Sequence, residues 1–237
     1  MTDFAGKRVL VLGGSRGIGA AIVRHFAQAG ADVAFSYSGS KDAAEALATE
    51  TGARTFKADS AVRAETVAAV RDAGVLDILI VNAGVAIMGD TLQVDADAVD
   101  RLFDINIRSP YHASVEAGRQ MADNGRIIII GSVNGDRVPF AGATSYATSK
   151  SAMQGLARGL ARDFGSRGIT VNTVQPGPVD TDMNPADGPF AKVMVNAMAI
   201  KRYAHADEVA ALVLFLASPA AAMITGTTQT IDGGLGI

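Results

Sequence analysis

The sequence predicts an α/β fold in which a doubly wound parallel sheet of about seven strands is flanked by helices. Three observations carry that expectation. Short runs rich in Val and Ile alternate with longer segments of helical period, as in successive βαβ units. The central runs are apolar without strict alternation, which marks strands buried on both faces. A glycine-rich turn joins the first run to the first helical segment.

Arg8–Leu12 (RVLVL), Asp32–Tyr37 (DVAFSY), residues 77–81 (DILIV), Arg126–Ile130 (RIIII) and residues 170–175 (TVNTVQ) read as strands. Arg54–Lys57 is a weaker strand between Gly52 and Asp59. Segment 18–29 sets Ile22, Val23 and Phe26 on one helical face and stops at Gly30, a residue suited to ending helices. Lys41–Thr51 stops at Gly52, and Arg63–Asp72 stops shortly before Gly74. Segment 97–117 carries Val99, Leu102, Phe103, Ile105 and Val115, with Pro110 expected to bend or interrupt it. Segment 146–164 strings Ala152, Met153, Leu156 and Leu160 along a stripe, and 208–217 stops near Pro219. No linker or repeat divides the chain, so residues 1–237 are expected to form one domain. Residues 176–195 hold Pro176, Pro178, Pro185 and Pro189 and are expected to form a functional lid.

Composition excludes several classes. Twenty-one Lys and Arg against twenty-four Asp and Glu leave a formal charge of −3, too balanced for nucleic-acid or membrane-surface binding. With no Cys there is no disulfide, thiolate metal site or Cys nucleophile. His25, His112 and His205 are scattered and offer little to zinc. No apolar run reaches the ~18 residues of a membrane span, and the one at residues 9–12 is too short for a signal peptide. A cytoplasmic enzyme or binding protein is expected.

Gly13-Gly14-Ser15-Arg16-Gly17-Ile18-Gly19 links the first strand to the first helix. Gly13 permits a sharp turn, Gly17 lets the backbone approach a pyrophosphate, and Gly19 lets the helix lie close on the sheet. The helix amino terminus offers unpaired N–H groups and the positive end of its dipole, so nucleotide binding is expected. The second strand ends at Tyr37-Ser38-Gly39-Ser40-Lys41, with no carboxylate to bind a ribose 2′-hydroxyl. Arg16, Ser38, Ser40 and Lys41 instead offer cations and hydroxyls to a 2′-phosphate, which favours NADP(H) over NAD.

Tyr146 and Lys150 stand one turn apart on one helical face. A phenol ionises near pH ≈ 10, but a neighbouring ammonium stabilises its anion. Such a pair can exchange a proton with a carbonyl or alcohol oxygen. Tyr37 and Lys41 share the spacing, yet Ser38-Gly39-Ser40 argues against a helical register between them. Ser132 follows the strand Arg126–Ile130, and the carboxyl ends of parallel strands face the ligand crevice. Ser132 and Tyr146 are therefore expected to converge there.

From about Lys7 to Gly234 these motifs resemble, in order, those of the short-chain dehydrogenase/reductase family. The glycine spacing at 13–19 is similar to its phosphate loop. Asn82-Ala83-Gly84 resembles its Asn-Asn-Ala-Gly motif, with Val81 in place of the first Asn. Asn106, Ser132, Tyr146 and Lys150 match its catalytic tetrad. Pro176-Gly177, Val179 and Thr181 resemble its nicotinamide-contacting segment. Asp59, followed by Ser60, resembles the acid beside its adenine pocket, and Asp232-Gly-Gly resembles its carboxyl-terminal signature.

The resemblance implies a Rossmann-type fold, an NADP(H) cofactor and reduction of a small-molecule ketone or aldehyde. Ser132 would polarise the carbonyl and Tyr146 protonate it. Lys150 would lower the Tyr146 pKa and hold the nicotinamide ribose, and Asn106 would sustain a water relay. A homodimer or homotetramer is implied as well. Leu12 departs from the usual Thr, and Ser132 and Tyr146 lie fourteen positions apart, one more than in many relatives. The extra residue falls in loop 133–145, which lines the expected substrate entrance. Within the family, the chain is similar to 3-oxoacyl-carrier-protein reductases, although Arg108, Arg119 and Arg137 form no basic docking run. Residues 131–137 and 175–185, with the short third helix, resemble a bacterial subgroup associated with biofilm dispersal and cyclic-di-GMP binding. The alternative function is thus regulatory nucleotide binding on the same fold.

Overall fold

The expected strand runs all form, and a seventh follows them near the carboxyl end. The computed structural model describes residues 3–237. It gives β1 (Arg8–Leu12), α1 (Gly17–Gln28), β2 (Asp32–Tyr37), α2 (Lys41–Thr51), β3 (Arg54–Lys57), α3 (Arg63–Asp72) and β4 (Ile78–Val81). Then come α4 (Ala96–Phe103), α5 (Ser109–Gln120), β5 (Arg126–Ile130), α6 (Thr144–Phe164), β6 (Thr170–Pro176), α7 (Ala191–Ala197), α8 (Ala206–Ala217) and β7 (Thr228–Ile231). All strands pair in parallel in the order β3-β2-β1-β4-β5-β6-β7. The order reverses between β1 and β4, so the turns leaving these two strands flank one crevice.

β4, β5 and β6 are buried along their whole length, which explains the continuous apolar runs of β4 and of β5 after Arg126, while β6 also buries Thr170, Asn172, Thr173 and Gln175. Successive side chains point to opposite faces and feed two cores. Val9, Val11, Ile80 and Ile128 pack with Ile22 and Phe26 of α1 and with Val213 and Leu216 of α8. Leu10, Leu79, Ile127 and Ile129 pack on the other face with Val70, Ala117 and Met153, from α3, α5 and α6.

Two stretches differ from expectation. The segment 97–117 breaks upstream of Pro110, in a π-helical turn at Asp104–Arg108 that separates α4 from α5. Pro110 lies in the first turn of α5, directly after the π turn, and has no N–H to give that turn. The 176–195 segment is not wholly irregular, because Pro176 closes β6 and α7 starts at Ala191. Among the described residues no helix is long and apolar enough to cross a membrane.

Ile128 is 1% exposed at the centre of the sheet. Ile128→Ala is expected to cost about 2–5 kcal/mol, read as a lower urea midpoint with an unchanged slope.

Candidate active site

The loop after β1 is held by contacts that only glycine permits. Gly13 adopts φ +78°, and a Cβ there would lie 2.7 Å from the Ala83 Cα. The Asn82 amide donates to the Gly13 carbonyl at 2.7 Å, so the turn leaving β4 is tied to the turn leaving β1. A Cβ on Gly19 would sit 2.1 Å from that same carbonyl, which is how closely α1 lies on the sheet. Gly17 starts α1 at φ +52°, and no side chain caps the helix, because its N-cap is Arg16. The first N–H groups around Ser15, Gly17 and Ile18 therefore lack a side-chain acceptor, and the pyrophosphate of a dinucleotide fits this opening. Gly14, outside the sequence-predicted set, packs against Phe35, whose Cβ would be 2.5 Å from an added one. The adjacent Gly13-Gly14 pair was its signal.

Tyr37 ends β2, Ser38 is exposed, Ser40 is the N-cap of α2 and Lys41 is its first residue. The decoy pair Tyr37 and Lys41 is thus split between a strand and a helix. Arg16 lies 3.4 Å from Asp182, and Lys41 lies 3.5 Å from Glu45. All four side chains are exposed, so these pairs are weak and the cations can exchange partners. Asp59 accepts from the Ala61 N–H at 2.9 Å and from Arg101 at 2.9 Å. The Ala61 N–H, then Arg101, hold its carboxyl below the usual carboxylate range. Ser60 stands beside it. Arg101 was not predicted, because its partner comes from a different βα unit.

Ser132 leaves β5 and opens a short 3₁₀ turn, Val133–Gly135, its Oγ accepting from the Asn134 N–H at 3.2 Å. Tyr146 sits in the first turn of α6 and Lys150 one turn further. The Lys150 ammonium lies 5.7 Å from the Tyr146 ring centroid and donates to the Ile130 carbonyl at 3.1 Å. Burial pushes the Tyr146 phenol up, and the neighbouring Ser132 hydroxyl pulls it partly back. Burial also lowers Lys150 to about 8. Gly84 leaves room for this group: a Cβ there would lie 3.4 Å from both the Lys150 Nζ and the Asn106 Oδ1. The structure therefore brings Ser132, Tyr146, Lys150, Asn106 and the Asn82-Ala83-Gly84 turn together.

The Asn106 side chain is committed within the protein. Its amide donates to the Val85 carbonyl at 2.9 Å and to the Ser149 Oγ at 3.0 Å, while its Oδ1 accepts from the Val85 N–H at 2.9 Å. Both amide hydrogens are used, so the side chain pins the β4 turn to α6 and has no hydrogen left for a relay water. The backbone offers another route. Pro110, four residues on, has no N–H to give the Asn106 carbonyl. Ser149 was missed by sequence reasoning. Fully buried, its Oγ donates to the Tyr146 carbonyl at 2.7 Å, and only the tertiary fold shows that it faces Asn106.

Pro176 ends β6 and Gly177 donates to the Ile231 carbonyl at 2.9 Å. A Cβ on Gly177 would lie 2.7 Å from the Asp232 Cα, so the Asp232-Gly-Gly stretch backs this corner. Val179 is buried and bridges to Ala204, while Thr181 places its Cγ2 3.2 Å from where a Gly17 Cβ would be. The start of the segment after β6 thus lies against the phosphate loop.

Because Lys150 holds its proton more weakly when folded than the ordinary 10.5, unfolding takes one up between pH 8 and 10.5, and stability rises with pH across that window. Lys150→Met is expected to be more stable than the parent at pH 7, by up to about 3 kcal/mol. The gain should shrink towards pH 10 in urea titrations. A less stable variant at pH 7, or a difference independent of pH, contradicts this account.

Comparison with known proteins agrees with this geometry. The family described as Enoyl-(Acyl carrier protein) reductase matches residues 13–236. The chain is 61% identical over 236 residues to the cyclic-di-GMP-binding biofilm dispersal mediator protein of Escherichia coli (strain K12), covering 100% of both. It superposes on the crystal structure of BdcA in complex with NADPH with a TM-score of 0.96 at 62% identity, over 97% of this chain and 94% of that one. A short-chain dehydrogenase/reductase from Serratia marcescens gives a TM-score of 0.97 at 52% identity, over 99% of each chain. With its phosphate loop, its β4 turn and its paired Tyr146 and Lys150 in one crevice, the chain belongs to the short-chain dehydrogenase/reductase family.

Proposed function

We propose that this protein is an NADPH-dependent oxidoreductase that reduces the carbonyl group of a ketone or aldehyde. The observation that carries the reading is the gathering of Ser132, Tyr146 and Lys150 at the carboxyl edge of the sheet, beside the open amino terminus of α1. The NADPH complex of a 62% identical relative supports the cofactor. Gly13, Ser15, Arg16, Gly17, Ile18 and Gly19 would cradle the pyrophosphate, and Arg16, Tyr37, Ser38, Ser40 and Lys41 the 2′-phosphate end. Asp59, Ser60, Asn82, Ala83 and Gly84 would border the adenine side, and Pro176, Gly177, Val179 and Thr181 the nicotinamide.

When bound, NADPH supplies the hydride that reduces the carbonyl carbon. Ser132 donates to the substrate oxygen and holds it beside the phenol. Tyr146 gives that oxygen its proton as negative charge develops. Lys150, protonated below about pH 8, stabilises the resulting phenolate. A water on the Asn106 carbonyl, which Pro110 leaves without its usual helical donor, would return the proton from solvent. Asn106 and Ser149 act on this chemistry by fixing the turn that holds Tyr146. A groove of about 360 Å³ beside α5 and α6, lined by Ile107, Tyr111, Gly155, Gly159 and Leu160, suits helix packing in a homodimer or homotetramer.

A second reading is favoured by the 61% identical relative named for cyclic-di-GMP binding and biofilm dispersal. A cyclic dinucleotide would need the same anion-binding helix terminus, so it would compete with NADPH.

Tyr146→Phe is expected to lower kcat by about 10²–10⁴-fold with NADPH affinity unchanged by fluorescence titration. Loss of NADPH binding together with activity would assign Tyr146 a structural part only. Arg16→Ala is expected to weaken NADPH by about tenfold, or 1.4 kcal/mol, and NADH little. Equal weakening of both removes the 2′-phosphate assignment. Absence of turnover across a ketone and aldehyde panel, with a cyclic dinucleotide displacing NADPH, selects the second reading.

A further inference from the structure

Three segments leave the sheet around Ser132 and Tyr146: residues 85–95 after β4, 133–143 after β5 and 177–205 after β6. They are joined to one another. The Gly89 N–H donates to the Gly142 carbonyl at 2.9 Å, and Thr91 to Thr144 at 3.1 Å, linking the first two. Val133 packs with Met198 and Leu235, linking the second to the third. Together they form the rim that a substrate must cross.

The charge on this rim is informative. It holds four basic residues, Arg137, Lys192, Lys201 and Arg202, against six aspartates. Of the aspartates, Asp182 meets Arg16 at 3.4 Å and Asp136 accepts from Gln154 at 2.6 Å, and three of the four cations already have hydrogen-bond partners. Arg137 donates to the Ile237 main-chain oxygen at 2.8 Å. Lys201 donates to the Asn196 carbonyl at 3.0 Å and to that of Met198. Arg202 makes two bonds of 2.7 Å to Glu208. Among the described residues this leaves Lys192. The same segments expose Met88, Val138, Phe140, Met183 and Phe190. Acyl groups carried on coenzyme A or on an acidic carrier protein bring phosphates or carboxylates to the entrance, and recognising them takes several free cations.

We propose that the substrate is a free, uncharged carbonyl compound with an apolar body, and that carrier-bound acyl thioesters are disfavoured by the net negative rim. The proposal rests on the carbonyl-reductase reading and narrows it.

The test uses one reacting group on two carriers, ethyl acetoacetate and acetoacetyl-coenzyme A, with saturating NADPH. The free ester is expected to give a kcat/KM about tenfold or more above the thioester. Raising salt from about 50 to about 300 mM should speed the thioester and leave the ester unchanged, because screening relieves repulsion only for the charged substrate. Asp187→Lys should improve the thioester and not the ester. An equal or better thioester, or one slowed by salt, overturns the proposal. If neither is reduced, the reductase reading falls, and coenzyme A binding decides the rim question separately. With NADPH saturating the cofactor site, no coenzyme A binding by calorimetry at about 1 mM upholds the negative rim, and binding at that level overturns it.

Discussion

A buried ammonium held by one main-chain carbonyl organises this molecule. Lys150 is 6% exposed, and its head meets the last carbonyl of β5 at 3.1 Å. Taking an ammonium out of water is unfavourable, and one hydrogen bond does not offset it. The fold tolerates the deficit because α6 is anchored along its length by Met153, Ala157 and Leu160 in the core beneath it. The surplus of apolar burial is thereby converted into a cation facing a phenol, in surroundings where neither keeps its ordinary proton affinity. A nearby positive charge matters most to a phenolate where water is scarce.

The second constraint is the way the helix pair bearing Asn106 is broken. A regular helix from 96 to 120 would not spare a carbonyl at its centre. The π turn at Asp104–Arg108, followed by Pro110, loosens the hydrogen-bond ladder at Asn106. The Asn106 side chain meanwhile stitches Val85 to Ser149, and Ser149 in turn binds the Tyr146 carbonyl. Four residues from three elements thus hold the phenol in place through bonds already made in the protein. Such preorganisation is what the proton transfer proposed for this site requires.

The glycines show the same economy of space. Gly13, Gly19 and Gly177 each sit where an added Cβ would strike backbone at under 3 Å. Two of these approaches bring the β1 turn against the β4 turn and α1, and the third sets the β6 corner against the Asp232 backbone. The crevice is therefore framed by main chain.

Much was legible in the sequence alone. The strand runs, the phosphate loop and the Tyr146–Lys150 pair depend on local rules, namely periodicity, positive φ and the pitch of a helix. The family resemblance of ordered motifs likewise needs only their order. What the sequence did not show is what depends on distant partners. Ser149 reads as an ordinary helical serine and Arg101 as a surface charge, and the side-chain partners of Asn106 stay hidden, until the fold places Tyr146, Asp59 and Val85 against them. The break at 104–108 was expected at Pro110, because proline is a local signal and a π turn is set by what the side chains inside it must reach. Local chemistry is written along the chain, whereas hydrogen-bond partners tens of residues apart are chosen only when the sheet closes and every buried donor must find an acceptor.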